Sequence, residues 1–145
     1  MTRLVVISNR VSIPEPDKSQ AGGLAVAITG ALDEYGGLWF GWDGEVSETA
    51  FTEPTTVKRD NITYATLPLS REDYEDYYLG FSNEVLWPVF HFNLGAMDFR
   101  LEYAKAYQRV NDRFAHALSN LLEGGELIWV HDYHLLPLGK ALRKE

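Results

Sequence analysis

Leu127-Ile128-Trp129-Val130-His131-Asp132-Tyr133-His134-Leu135-Leu136-Pro137-Leu138 changes character in its middle. The first four residues are a short, unalternated apolar run, β-branched or aromatic after Leu127, as expected of a strand buried on both faces of a parallel sheet. Three polar groups arrive where that strand would end. Open α/β sheets take their ligands outside the carboxyl ends of their strands, so His131, Asp132 and His134 are expected to face a cavity. Asp132 equally suits an N-cap of the next helix, with the histidines packed beside it.

The same strand-to-polar transition occurs at the other end of the chain. Leu4-Val5-Val6-Ile7 reads as a first strand that stops at Ser8-Asn9-Arg10. A guanidinium at a strand's carboxyl end can clamp a phosphate or carboxylate through two parallel hydrogen bonds; the plain alternative is a surface arginine in a loop. Val11 to Gln20, with two prolines, reads as a loop. Ala21-Gly22-Gly23 then opens a helix that Gly36-Gly37 closes. Glycines at a helix start let backbone N–H groups approach an anion, which the helix dipole also favours. The G-x-G-x-x-G dinucleotide pattern is absent.

Leu38 to Trp42 reads as a second strand ending at the turn pair Asp43-Gly44. Trp39 and Trp42 would point to opposite faces, so one of them is expected in the core, and Trp42 is either a sugar platform or a packing residue. A further strand, Ile62 to Leu67, pairs with the preceding segment across Asp60-Asn61. Ser70 and Asp73 form a capping box for a short helix. Seven aromatic residues lie between Tyr74 and Phe92. They form either a carbohydrate-facing wall or an aromatic cluster under a loop. Asp98 to Glu123 is the longest helix, its apolar stripe running through Tyr103, Tyr107, Val110, Phe114, Leu118 and Leu121. A final helix starts at Pro137 and reaches Glu145. Strands alternating with helices make the fold class α/β, a Rossmann-like, mostly parallel sheet with flanking helices, in one domain over 1–145 that is expected to be incomplete, since the last helix ends where another strand would follow.

At 145 residues and 46% hydrophobic content the chain can bury a core. Thirteen basic against twenty-one acidic residues give a net charge of −8, which disfavours nucleic acid and anionic membranes as partners. With no cysteine, disulfides, thiol catalysis and cysteine-held zinc are excluded. No apolar run is long enough to span a bilayer, and Met1-Thr2-Arg3 leads straight into a strand, so a soluble cytoplasmic protein is expected. His131-Asp132-Tyr133-His134 has two imidazoles and a carboxylate but no separated third ligand, so no metal is expected.

Taken together, Ser8-Asn9-Arg10, Ala21-Gly22-Gly23-Leu24, Trp39-Phe40-Gly41-Trp42, Phe81-Ser82-Asn83-Glu84-Val85-Leu86-Trp87-Pro88 and Trp129-Val130-His131-Asp132-Tyr133-His134 resemble the N-terminal half of the trehalose-6-phosphate synthases. The resemblance implies the N-terminal, acceptor-binding domain of a two-domain (GT-B) retaining glycosyltransferase, with the C-terminal nucleotide-binding domain as its missing partner. It implies transfer of glucose from a nucleotide sugar, usually UDP-glucose, to glucose 6-phosphate without a cofactor. By that resemblance Arg10 binds the phosphate of glucose 6-phosphate with help from Tyr78, and Asp132 binds the acceptor's hydroxyls and serves the reaction. Gly22 and Gly23 lie against the donor, and Trp87 selects the anomer. Leu79 departs from the family, which has asparagine there. The cations that would stabilise the leaving diphosphate belong to the missing domain, so these residues alone are expected to be inactive. A homo-oligomer is compatible with the sequence. Three other readings remain at this point: a relative using glycerol 3-phosphate, a non-catalytic sugar-phosphate-binding module, and a purely structural domain with every aromatic in its core.

Overall fold

The structure, a computed structural model, describes residues 2–15 and 23–145. Its five strands are β1 (Leu4–Arg10), β2 (Gly37–Ser47), β3 (Thr55–Arg59), β4 (Ile62–Ser70) and β5 (Leu127–Val130). They form one sheet in the order β3-β4-β2-β1-β5. β1 runs parallel to both neighbours, with Ile7 opposite Phe40 of β2 and Val130 of β5. β2 and β4 are also parallel, while β3 and β4 form an antiparallel hairpin across Asp60 and Asn61. The expected mostly parallel α/β sheet is thus the one observed.

Strand periodicity divides the core in two. Val6, Trp39 and Tyr64 face the helix α1 (Gly23–Tyr35), which buries Ile28 and Leu32 against them. Val5, Ile7, Phe40 and Trp42 face α4 (Leu101–Ser119) and α5 (Leu138–Leu142) on the other side. Both tryptophans are therefore core, at 1% and 4% exposure, where the sequence suggested one. The sheet is covered on both faces there, so opposite orientations bury both.

The described residues differ from expectation elsewhere too. β2 continues past Asp43-Gly44 to Ser47, with a register shift between Trp42 and Val46 that absorbs the turn-like pair. α4 is shorter than Asp98–Glu123, and the C-terminal segment splits into a 3-10 turn, Tyr133–Leu135, and the short α5. β5 is not buried on both faces. Among the described residues it is the outermost strand, and Leu127 and Trp129 are 62% and 45% exposed in a groove shared with Ala31 and Tyr35 of α1.

Between β4 and α4 the chain forms α2 (Arg71–Asp73), a π-helix over Tyr74–Leu86 and α3 (Trp87–Phe90). Ser70 Oγ accepts the Asp73 N–H at 3.1 Å, as the capping box requires. The Asp73 carboxylate does not reach back to complete it; Oδ1 accepts from Arg109 at 2.7 Å and Oδ2 from Arg113. Burial alone would raise this carboxyl's pKa, but the two guanidiniums together hold it below the ordinary value. This ion cluster staples the start of the π-helix to α4.

Candidate active site

Because β1 and β5 are parallel neighbours, they end side by side, and their carboxyl ends are bonded to each other. The Asn9 N–H donates to Asp132 Oδ2 at 2.6 Å, and the His131 N–H donates to Ile7 O at 2.8 Å. The preceding residues are equally fixed. Trp39 Nε1–H donates to Ser8 Oγ at 2.8 Å, Ser8 Oγ–H donates to Arg10 O at 2.7 Å, and the Tyr77 hydroxyl donates to Asn9 Oδ1 at 2.7 Å. Tyr77 is fully buried, and that burial pushes its phenol well above the ordinary pKa, so it remains a donor. Ser8-Asn9-Arg10 is thereby a braced strand end rather than a free loop.

Asp132 has φ 73° and ψ 140°, a backbone region that glycine occupies readily and other residues avoid. Its side chain makes no cap bond to the following 3-10 turn, so the N-cap alternative does not hold. The carboxylate has one oxygen engaged by the backbone of the neighbouring strand.

Arg10 is exposed, with its guanidinium carbon 5.9 Å from the Trp42 ring centroid. Gly44, at φ 92°, lies against that guanidinium so closely that a Cβ there would come within 2.6 Å of it. Arg10 lines a cavity of about 310 Å³ with Ser12, Ile13, Asp43 and Thr66. Burial raises the Asp43 carboxyl, and the Arg10 charge offsets this only in part. Trp42 is no open sugar platform: it is buried, its indole N–H donates to Glu45 O at 2.7 Å, and its face meets Tyr74 and Tyr78.

From Trp42 a row of rings leads along the site. Tyr78, half-buried, is 5.2 Å from Trp42 and lies stacked at 5.7 Å on His134; His134 stacks at 4.2 Å on Tyr133, which is 5.9 Å from Trp87. Trp87 is 50% exposed. The row joins Arg10, Tyr78 and Trp87, three residues that the sequence singled out, and Asp132 adjoins it through Tyr133. The aromatic segment between Tyr74 and Phe92 is thus mixed: Tyr77 is core, whereas Trp87, Phe90 and Phe92 are exposed.

His131 and His134 do not face an open cavity as expected. His134 is 8% exposed, its two ring nitrogens are buried without a partner, and burial lowers its pKa to about 4. His131 is half-buried, 4.2 Å from the exposed Trp129. Their ring contacts win over solvent because the loop turns back into the core at Leu135. Among the described residues, no three His, Asp or Glu side chains are grouped as metal ligands would be. Gly23 is the first residue of α1, whose chain direction, returning to the start of β2, puts that helix start at the strands' carboxyl edge. Gly22 lies outside the described residues.

Sequence reasoning missed that Tyr77 braces Asn9, and that the Tyr107 hydroxyl and Asn111 Nδ2 donate to Tyr133 O and His134 O, the carbonyls following Asp132. Asn111 had a legible signal: a polar residue four positions after Tyr107 and three before Phe114, in the middle of an apolar stripe.

Residues 3–145 match the model of glycosyltransferase family 20. A trehalose-6-phosphate synthase of Cronobacter sakazakii is 52% identical over 99% of this chain and 30% of its own length. A solved alpha,alpha-trehalose-phosphate synthase (UDP-forming) from Burkholderia vietnamiensis superposes with TM-score 0.91 at 49% identity, over 99% of this chain and 31% of that one. Another, from Burkholderia xenovorans in complex with glucose-6-phosphate, gives TM-score 0.88 at 44% identity, over 98% and 31%. The chain therefore spans about 30% of the length of the curated relatives it matches. Among the described residues no helix is long and apolar enough to cross a membrane.

Proposed function

Because this chain belongs to glycosyltransferase family 20, we propose that it is the acceptor-binding portion of a synthase that moves glucose from UDP-glucose to glucose 6-phosphate with retention, forming trehalose 6-phosphate. In this reading residues 1–145 belong to the N-terminal, acceptor-binding Rossmann-like domain of a cytoplasmic enzyme without completing it, and the nucleotide site lies in a further, C-terminal domain. The observation that carries it is the junction of β1 and β5: the Asn9–Asp132 hydrogen bond brings a carboxylate to the same rim as Arg10. The solved relatives described as UDP-forming, one of them holding glucose-6-phosphate, support the choice of donor and acceptor.

Each residue then has a task its chemistry suits. Arg10 neutralises the acceptor's phosphate, with Tyr78 adding a phenolic hydrogen bond. Asp132 accepts from sugar hydroxyls. One of its two oxygens is tied to the Asn9 N–H, which suits an orienting acceptor better than a covalent nucleophile. Retention through a glycosyl-enzyme needs two carboxyl groups about 5 Å apart. Transfer here instead runs on the front face, with an oxocarbenium-like transition state and the departing phosphate taking the acceptor's proton. The protein's contribution is orientation and electrostatics. Gly22 and Gly23 approach the donor at the start of α1, and Trp87, at the exposed end of the ring row, selects the anomer.

The test is turnover of the full-length polypeptide with UDP-glucose and a panel of phosphorylated acceptors. Glucose 6-phosphate is expected to be preferred. Arg10→Ala is expected to raise its KM by roughly 30-fold or more, the loss of one side of a charge pair, and Asp132→Asn to depress kcat. An unchanged KM for Arg10→Ala removes Arg10 from the phosphate site, and preference for glycerol 3-phosphate overturns the acceptor.

A further inference from the structure

The strained backbone of Asp132 requires something to hold it, because a residue at positive φ relaxes unless its surroundings over-determine it. The restraint comes from α4. The Tyr107 hydroxyl donates to Tyr133 O at 2.6 Å, and Asn111 Nδ2 donates to His134 O at 3.0 Å and to Tyr107 O at 2.9 Å. Two side chains one helical turn apart thus grip two consecutive carbonyls immediately after Asp132. Both donors are well placed for this. Burial pushes the Tyr107 phenol up to about 12, so it stays protonated, and Asn111 is completely buried with its own Oδ1 left without a partner. A buried amide with an orphaned oxygen is costly in an apolar seam, where leucine would pack without penalty.

We propose that Tyr107 and Asn111 are positioning residues that hold the Asp132–His134 loop so that the Asp132 carboxylate meets the acceptor sugar. The inference rests on the function proposed above. Neither residue touches substrate; both act through the loop's backbone. The Asn9 N–H fixes the carboxylate from the β1 side, and α4 fixes the carbonyls from below, so Asp132 is clamped between two elements.

Tyr107→Phe and Asn111→Leu, each nearly isosteric, test this in the full-length polypeptide. Each is expected to raise the KM for glucose 6-phosphate about tenfold, the effect of one misplaced hydrogen bond, with the KM for UDP-glucose unchanged. A merely structural role would lower the unfolding midpoint without separating acceptor from donor. Wild-type acceptor KM in both variants, or equal loss toward both substrates, overturns the proposal. If the unsubstituted enzyme does not accept glucose 6-phosphate, the functional reading fails. The clamp is then decided by a crystal structure of the double variant: Asp132 at negative φ supports it, and Asp132 still at positive φ refutes it.

Discussion

Asp132 sits in a backbone conformation that costs a Cβ-bearing residue about 1–3 kcal/mol. Replacing it by glycine and by alanine removes the same carboxylate, so the difference between the two isolates the backbone. Asp132→Gly is expected to be more stable than Asp132→Ala by about 1 kcal/mol or more in urea unfolding, while both lose acceptor affinity. Equal stability would mean that the left-handed conformation is not strained. His134 gives a second residue-scale expectation. Its imidazole takes a proton near 6.5 when unfolded and near about 4 when folded, because burial among Tyr77, Tyr78 and Tyr133 disfavours the cation. Between those values the unfolded state binds more protons, so stability is intact above about 6.5 and falls as the pH drops toward about 4. The loss is on the order of 3 kcal/mol. His134→Phe is expected to flatten the urea midpoint between pH 7 and 4.5, and an unaltered slope would show that another group governs that window.

The element that most repays inspection is the π-helix Tyr74–Leu86. It delivers Tyr77 inward to Asn9 and the adjacent Tyr78 to the ring row, so one segment serves both the brace and the site. Its position is set by α4. The Asp73 ion cluster holds its start, and Gly80 sits against the Tyr103 ring with no room for a methyl group, since a Cβ would approach to 2.6 Å. Gly80→Ala is expected to destabilise the fold by about 1–3 kcal/mol, measured by thermal or urea unfolding. It should also weaken acceptor binding, because Tyr78 shifts with the helix. A neutral result would show that Tyr103 swings aside freely. The Ser70 and Asp73 capping box made the start of this segment legible as helical. The wider π-helical winding was not, because i→i+5 bonding carries no residue pattern of its own and is imposed by what the helix packs on.

At the scale of the molecule, two apolar surfaces stand out. Phe92, Leu94 and Phe99, between α3 and α4, and Leu101, which opens α4, are 95%, 63%, 55% and 56% exposed, and Leu127 and Trp129 are exposed on β5. Exposed apolar surface of this kind drives association, so the 145-residue chain is expected to self-associate with concentration in analytical ultracentrifugation. The double substitution Phe92→Asp and Trp129→Lys should shift it toward monomer; a monomer at every concentration would refute this. The sequence by itself determined the order of strands and helices, the two strand ends that carry Arg10 and Asp132, and the helix start at Gly23. Apolar runs, proline, glycine and capping residues act over a few positions and need no partner. It also carried the family strings. Only the tertiary structure decided that Trp42 is core, that Asp132 accepts from Asn9 rather than capping a helix, and that Asn111 donates to the His134 carbonyl. Asn9 and Asp132 are 123 positions apart. Bonds of that span exist only after β5 has docked beside β1, and no local pattern can announce them.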